Sequence, residues 1–187
     1  MGWGKSFGLA LILMTASNCS SPIDGLQPLE SASMSGYRLG PGDEVRIGVF
    51  GFDSMSNSYV VSDSGTISMP LLSTIEVKGK TPAEVEALIA DLLRTKELAP
   101  SPSVTAQVQK YRPFFILGEV QQPGQYSYVP GMSVLTAVSV AGGYTFRANK
   151  NEVAITRGSG GQFKKGRAGQ QTVVLPGDTI FVYEQSF

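Results

Sequence analysis

The stretch Tyr37-Arg-Leu-Gly-Pro-Gly-Asp-Glu-Val-Arg-Ile-Gly-Val49 contains a tight turn followed by a strand, and the same order returns in Leu175-Pro-Gly-Asp-Thr-Ile-Phe-Val182. In each copy, proline fixes φ at the second turn position and glycine supplies the positive φ that a type II turn needs at the third. The aspartate that follows, Asp43 or Asp178, is placed to accept a backbone N–H of its own turn. Alternating apolar residues then predict a half-buried strand. We interpret both aspartates as turn residues without a functional contact.

Composition narrows the possible functions. The 187 residues include 15 basic and 15 acidic side chains, and this balance predicts no nucleic-acid partner. The chain has no histidine, which excludes Ser-His-Asp and Cys-His nucleophilic systems and the commonest zinc ligand sets. Its carboxylates are scattered instead of paired as glycoside hydrolysis requires. We therefore predict no catalytic residue, no metal or cofactor site, and no enzymatic activity.

The N-terminus is typical of an exported protein. Lys5 precedes the apolar run from Phe7 to Met14, which predicts a secretory signal over residues 1–18. The run is shorter than the roughly 20 residues that a membrane-spanning helix needs, so we expect its removal. The lone Cys19 that follows resembles the lipidated cysteine of bacterial lipoproteins, although Ala16 and Asn18 depart from the usual site. Ordinary signal cleavage that leaves a free cysteine is the alternative.

Residues 19–36 are rich in Ser, Pro and Gly and predict a flexible tether. The chain length then permits one ordinary domain or two small ones, and two fit the pattern better. Over residues 37–110 the pattern reads β-β-β-α-β, with a strand pair about the turn Asp63-Ser-Gly65. Its helix has Thr81 as N-cap, Pro82 at the first position and Glu84 completing a capping box. The apolar face of this helix is predicted to pack on a sheet; it consists of Val85, Leu88, Ile89, Leu92 and Leu93.

Residues 111–187 predict a second unit of the β-grasp type. A hairpin turns at Gln122-Pro-Gly124, and Ser133 caps a short helix that Gly142 and Gly143 close. Strands over residues 152–156, 172–175 and 179–183 follow, with a loop over residues 158–167. We expect a four-stranded sheet crossed by one helix, and the whole chain to be an α+β protein of two small domains.

At these motifs the chain resembles the outer-membrane polysaccharide export family of Wza-type proteins, over residues 37–183. The first half resembles the polysaccharide export sequence domain in its Tyr-x-Leu-Gly-Pro-Gly-Asp motif and in Asp63-Ser-Gly-Thr-Ile. The second half resembles the soluble-ligand-binding β-grasp (SLBB) domain in Gly118-Glu-Val, Pro123-Gly-Gln-Tyr and Ala141-Gly-Gly. The turn residues of these motifs are Gly40, Pro41, Gly42, Asp43, Pro123, Gly124, Gly142, Gly143, Pro176, Gly177 and Asp178.

The resemblance implies a periplasmic conduit in which no bond is made or broken. A ring of identical subunits under the bacterial outer membrane would pass a capsular polysaccharide or exopolysaccharide and dock on an inner-membrane co-polymerase. Larger family members add a C-terminal membrane helix. This chain resembles the short class, which needs a separate outer-membrane pore or attaches through its lipid. A periplasmic ligand-binding or protein-binding module is the first alternative, and a carbohydrate-active enzyme is the second.

Two sets of side chains are candidates for polymer contact. The basic set in the predicted loop consists of Arg157, Lys164, Lys165 and Arg167. It could touch an acidic polymer, but a solvated hairpin tip explains it as well. The aromatic set could stack on sugar rings or could belong to the core; it consists of Tyr126, Tyr128, Tyr144 and Phe146. Weak sites are expected of a conduit, because a pore that holds its cargo tightly cannot release it.

Overall fold

Two separate hydrophobic cores organise the chain, as the computed structural model shows for residues 23, 25–29, 36–159 and 162–185. Buried residues between Leu39 and Ala106 form the first core, and those between Phe114 and Val182 form the second. We call the two parts the first and second domains. Each contains one α-helix and several strands, so the predicted α+β class with two small domains is confirmed.

The first domain places four strands before its helix and one after it. They are β1 (Glu44–Val49), β2 (Asn57–Val60), β3 (Thr66–Met69), β4 (Ser73–Glu76), helix α1 (Pro82–Thr95) and β5 (Val104–Lys110). A three-stranded antiparallel sheet has the order β2-β1-β5, and β3 and β4 form a separate hairpin. In β1 the side chains of Val45, Ile47 and Val49 are buried, which follows from the period of two in a strand.

The predicted β-β-β-α-β order is wrong, because four strands precede the helix instead of three. The predicted pairing of the two strands about Asp63-Ser-Gly65 is also wrong. The turn itself forms, since the Gly65 N–H donates to the Ser62 carbonyl at 2.8 Å. However, β2 on one side of the turn pairs with β1, whereas β3 on the other side pairs with β4. A local pattern locates a turn, but it does not say which strand satisfies the flanking backbone groups.

Helix α1 begins and packs as its sequence predicts. Thr81 Oγ1 accepts from the Glu84 N–H at 3.2 Å, and Glu84 Oε2 accepts from the Thr81 N–H at 2.7 Å. This hydrogen bond from the Thr81 backbone is the main reason that the pKa of Glu84 is lowered. Val85, Ile89 and Leu93 are fully buried, and the two neighbouring leucines of the predicted face pack against the same core.

The second domain has five strands around one helix. They are β6 (Phe114–Gly118), β7 (Gly124–Tyr126), helix α2 (Val134–Val140), β8 (Glu152–Ser159), β9 (Gln162–Gly169) and β10 (Thr179–Val182). The sheet has the order β7-β6-β10-β8-β9, in which β6 and β10 are parallel and the other pairs are antiparallel. Ser133 caps α2, and Gly142 and Gly143 end it with positive φ, as predicted.

The prediction of four strands in this sheet is wrong because β9 lies where a loop was expected. Residues 158–167 belong mostly to β8 and β9, and residues 172–175 contribute only a bridge from Val173 to Ser133. The glycines and cations of β9 give no apolar alternation for the sequence to reveal. Small residues face the core here, since Gly166 and Ala168 are buried, so β9 gains its stability from pairing with β8.

Part of the predicted tether is ordered against the second domain. The Leu29 N–H donates to the Arg167 carbonyl at 2.8 Å, and the Arg167 N–H donates to the Gln27 carbonyl at 2.9 Å. Pro28 thereby pairs in parallel with Arg167 of β9, and Ile23 is buried. The prediction of a flexible tether over residues 19–36 therefore fails for Gln27–Leu29. The predicted signal and Cys19 lie outside the described residues.

Candidate functional site

The two Pro-Gly-Asp turns have the same internal geometry. Gly42 has φ of 87° and Gly177 has φ of 83°, which are left-handed values that glycine adopts without steric cost. Asp43 Oδ2 accepts from the Gly40 N–H at 2.8 Å, and Asp178 Oδ2 accepts from the Leu175 N–H at 2.7 Å. Both aspartates are buried, so each carboxylate needs further partners to offset its desolvation.

Asp43 obtains these partners from outside its turn. Its carboxylate accepts from the Tyr37 hydroxyl at 2.6 Å, from the Arg112 N–H at 2.8 Å and from Arg112 Nη1 at 3.3 Å. Burial, and then the hydrogen bond to the Asp43 carboxylate, raises the pKa of Tyr37 well above its ordinary value. Tyr37 therefore stays a neutral hydrogen-bond donor, and Arg112 supplies the compensating charge.

Asp178 obtains its cation from its own domain. Arg157, on β8, donates through Nε to Asp178 Oδ1 at 2.9 Å and through Nη2 to Asp178 Oδ2 at 2.7 Å. The same Nη2 donates to the Val173 carbonyl at 3.0 Å. This two-point geometry is the stronger form of an arginine–carboxylate pair. Arg157 thus ties the second turn to β8.

Arg112 connects the two turns, which lie in different domains. Its Nε donates to the Pro176 carbonyl at 3.2 Å while its Nη1 contacts Asp43. A side chain at either glycine would displace the guanidinium from this position: a Cβ on Gly40 would lie 2.1 Å from Arg112 Nη1, and one on Gly177 would lie 2.7 Å from Arg112 Nε. We call this contact of Arg112 with both turns the domain joint.

Aromatic rings extend the domain joint. Tyr37 and Tyr111 meet edge to face with ring centroids 5.1 Å apart, and Tyr111 meets Tyr128 edge to face at 5.4 Å. Arg112 also lies over the Tyr37 ring, 5.6 Å from its centroid. Such ring contacts stabilise the structure beyond what the burial of their apolar area alone contributes. Sequence reasoning missed Tyr37, Tyr111 and Arg112 as site residues; the available signal was a charged residue beside Pro113 in a short connection.

The predicted basic set does not form one cluster. Arg157 and Lys164 are cross-strand partners on one side of the β8–β9 hairpin, whereas Lys165 and Arg167 lie on the other side. Arg157 is largely buried against Asp178, and Arg167 Nε lies 3.4 Å from Glu152. Lys165 Nζ donates to the Tyr183 hydroxyl at 3.0 Å. The assignment of all four to polymer contact stays a prediction.

The predicted aromatic set is divided between core and surface. Tyr128 is buried, Tyr144 packs against the second core, and burial raises the pKa of both. The Tyr126 hydroxyl donates to the Gln122 carbonyl at 2.6 Å, beside the predicted turn at Pro123 and Gly124. Phe146 is 91% exposed.

The second domain has a partly exposed apolar sheet face and, separately, a cleft. Helix α2 covers one face of the sheet, and on the other face Phe115, Leu117 and Phe181 are each about 40% exposed. Phe181 pairs with Leu117 across β10 and β6, so these apolar side chains are neighbours. Separately, a cleft of about 560 Å³ lies beside α2, with Tyr126, Val129 and Met132 among its lining residues.

The part of the chain that the structure describes contains no helix long and apolar enough to cross a membrane. Within the same residues, no three His, Cys, Asp or Glu side chains are grouped so that they could hold a metal ion.

Comparison with known proteins gives two family matches in tandem. Residues 31–109 match the family described as "Polysaccharide biosynthesis/export protein", and residues 113–168 match the "SLBB domain". Arg112 lies in the short gap between the two matches.

Several curated proteins are similar over part of their length. The exopolysaccharide production protein ExoF of Rhizobium meliloti is 36% identical over 118 residues, which cover 57% of this chain and 28% of ExoF. The polysialic acid transport protein KpsD of Escherichia coli is 27% identical over 127 residues, covering 66% of this chain and 22% of KpsD. The capsule polysaccharide export outer membrane protein CtrA of Neisseria meningitidis is 32% identical over 104 residues, covering 54% and 26%. The chain thus spans less than a third of each of these relatives.

Proposed function

This chain belongs to the polysaccharide biosynthesis/export family, and we propose from that premise that it is a subunit of a machine that exports a capsular polysaccharide or exopolysaccharide from a bacterial cell. It acts as part of a conduit for the polymer and makes or breaks no bond. It lies at the periplasmic face of the outer membrane and is anchored there by a lipid on Cys19. Its partners are further copies of itself, an inner-membrane co-polymerase and a separate outer-membrane pore.

The observation that carries this proposal is the tandem order of the export and SLBB matches on one chain. The domain joint supports it, because a subunit of a ring must hold its domains in one relative orientation if all copies are to enclose the same lumen. Arg112 provides such a constraint through its contacts with Asp43 and Pro176.

The open face of the second sheet supports a contact between copies. Phe115, Leu117 and Phe181 present adjacent, partly exposed apolar side chains. Burial of such a patch against another copy removes apolar area from water and stabilises the contact by about 25 cal/mol per Å² buried. A ring built in this way uses the SLBB domain for assembly and leaves its lumen weakly interacting, as transport requires.

The test is a deletion strain complemented with the intact chain, with Leu117→Gln or with the control Phe146→Gln. Extracellular polymer and the mass of the native assembly are measured for each strain. We expect the intact chain and the control to restore both, because Phe146 is highly exposed and is not one of the three residues of the apolar face. Leu117→Gln should reduce assembly and export together. Normal polymer secretion in the deletion strain would contradict the proposed function.

The cleft beside α2 favours one second function, a periplasmic module that binds a small ligand or a peptide. Its size falls in the range of small-molecule sites, and its lining is mainly apolar. The substitution Val129→Glu places a charge in this cleft at a residue that is 60% exposed. If export fails with this variant while assembly is normal, the cleft is the functional site; if export and assembly are both normal, the second function is wrong.

A further inference from the structure

The apolar face of the second sheet lies on the side opposite helix α2. Phe115, Leu117 and Phe181 alternate along their strands with Ile116 and Ile180, which are buried in the second core. Helix α2 packs on that core through its own buried residues. The three partly exposed side chains therefore point away from the helix, and we keep the name apolar face for them.

The cleft beside α2 is a second apolar site, on the helix side of the same domain. Its lining includes Val129 and Val140, which are 60% and 49% exposed, and Met132, which is buried. Tyr126, also in the lining, pairs across strands with the core residue Phe114 and so lies on the helix side of the sheet. None of the residues that line this cleft is charged. We call it the α2 cleft.

Helix α1 shows how a helix of this chain looks where its outer side meets water. Asp91 and Arg94 of α1 form an exposed ion pair at 2.9 Å. Polar and charged residues are usual on the solvent side of a helix. Helix α2 has no charged residue, and it exposes the aliphatic side chains of Leu135 and Val140. This difference indicates that another surface covers the outer side of α2 in the assembly.

Two apolar sites on opposite sides of one domain suit a head-to-tail assembly. If two apolar faces met, they would pair two copies about a two-fold axis and leave both α2 clefts in water. A contact between the apolar face of one copy and the α2 cleft of the next runs in one direction and closes into a ring. Such a contact covers both apolar sites of every subunit.

The two sites also match in shape and charge. The apolar face presents aromatic rings, and the α2 cleft is a concave space of about 560 Å³. The Phe181 ring contacts the Tyr183 ring at a centroid distance of 4.6 Å, which restricts its motion and suits it to be an interface anchor. Since the apolar face and the cleft lining contain no charged residue, their contact buries no unpaired charge.

We propose that the apolar face of one copy docks in the α2 cleft of the next copy, with Leu117 and Phe181 against Val129 and Val140. This inference rests on the proposed function in one respect, the contact between copies through the apolar face, and it adds the surface that receives this face. A two-fold pairing of apolar faces and a small ligand in the cleft are the competing arrangements.

Single cysteines on the two surfaces test this contact. The sequence has one cysteine, so a mature chain that begins at residue 19 and carries Cys19→Ser has none. This chain is made with Leu117→Cys on the apolar face, with Val129→Cys at the α2 cleft, or with the control Phe146→Cys. Phe146 is 91% exposed and belongs to neither surface. The variants carry tags of different size and are treated, alone and in pairs, with a short bismaleimide cross-linker.

We expect covalent dimers in the mixture of Leu117→Cys with Val129→Cys. Neither variant alone should give dimers, and neither should the mixture of Phe146→Cys with Val129→Cys. A chain with both Leu117→Cys and Val129→Cys should give a ladder of linked copies that ends at one size, the closed ring.

A charge exchange gives a second readout, the mass of the native assembly in analytical ultracentrifugation. Leu117→Asp alone and Val129→Lys alone should each weaken association at least about tenfold, because each buries a charge without a partner. The chain with both substitutions should recover association, because the two introduced charges then meet across every contact. Circular dichroism checks that each variant is folded.

Dimers of Leu117→Cys with itself would overturn the inference, since the apolar faces would then meet each other. It would also be overturned if residues 117 and 129 gave no cross-link in the purified chains or in full-length chains co-expressed in the deletion strain, as expected if the cleft holds a ligand instead. Equal cross-linking of the Phe146→Cys control would overturn it as well. Polymer secretion judges the export function separately. A ring linked through residues 117 and 129, together with normal secretion in the deletion strain, would leave this contact and remove the export function.

Discussion

The Asp43 turn and the Asp178 turn share their sequence and local geometry but differ in where their cations come from. Asp178 is paired with Arg157 of the same sheet, so its turn closes the second domain on itself. Asp43 is paired with Arg112 of the connection, which also reaches the Pro176 carbonyl in the other turn. One motif therefore serves internal closure in one domain and the joint between domains in the other. The comparison shows that the motif fixes a turn, whereas its partner decides its role.

The largest expected effect comes from removal of either carboxylate. Asp43→Ala and Asp178→Ala each leave an arginine without its buried partner, which destabilises the fold by about 3–5 kcal/mol. The comparison of the two turns predicts that the two substitutions destabilise different parts of the molecule. In hydrogen exchange measured by mass spectrometry, Asp178→Ala should raise exchange in β8 and β10 alone, whereas Asp43→Ala should raise it in both domains.

If hydrogen exchange rises over the same strands in both variants, the difference inferred between the two turns is wrong. Such a result would mean that the domains unfold as one unit whichever turn is lost. An exposed carboxylate serves as control, and Asp53→Ala should change neither domain, since surface substitutions are usually within about 0.5 kcal/mol.

The second effect is the loss of the Arg112 side chain. Arg112→Ala removes the contacts with Asp43 and Pro176 but keeps the backbone donor to Asp43, so we expect a cost of about 2 kcal/mol. Arg112→Lys keeps a charge but does not reproduce the planar set of donors. Thermal unfolding by circular dichroism should separate into two transitions in both variants. A single unchanged transition in Arg112→Ala would show that the aromatic rings alone hold the domains together.

A smaller effect distinguishes the two turn glycines. Gly42→Ala and Gly177→Ala both force a non-glycine residue into positive φ, at a cost of about 1–2 kcal/mol. A Cβ at residue 42 makes only an ordinary contact of 3.7 Å with Arg112, but a Cβ at residue 177 would lie 2.7 Å from Arg112 Nε. In urea denaturation Gly177→Ala should therefore be the less stable variant. The reverse order would indicate that Arg112 moves away without cost.

Local chemistry made much of this fold predictable. The Pro-Gly-Asp turns, the Thr81–Glu84 capping box and the Ser133 cap each consist of groups close together in sequence, and each forms as predicted. The domain joint was not predictable in this way, because Arg112 is 69 residues from Asp43 and 64 from Pro176. Strand β9 escaped prediction for a related reason. Its residues have little strand character of their own, and its backbone partner β8 determines its structure.

The smallest effect concerns the Tyr37 hydroxyl, which donates to Asp43. Within the part of the chain that the structure describes, the hydrogen-bond partners of Asp178 include no such hydroxyl. Because burial and the Asp43 carboxylate raise the pKa of Tyr37, the folded protein keeps a proton that the unfolded chain loses above about pH 10. The hydroxyl therefore stabilises the fold fully below that pH, and the stabilisation declines as the pH rises beyond it. Thermal unfolding between neutral pH and pH 11 should show a steeper alkaline loss of stability for the wild type than for Tyr37→Phe.

Tyr59→Phe serves as control, since burial also raises the pKa of Tyr59 but its hydroxyl donates to the Met55 carbonyl within the first domain. If Tyr37→Phe loses stability as steeply as the wild type, the Tyr37–Asp43 hydrogen bond contributes nothing to the difference between the turns.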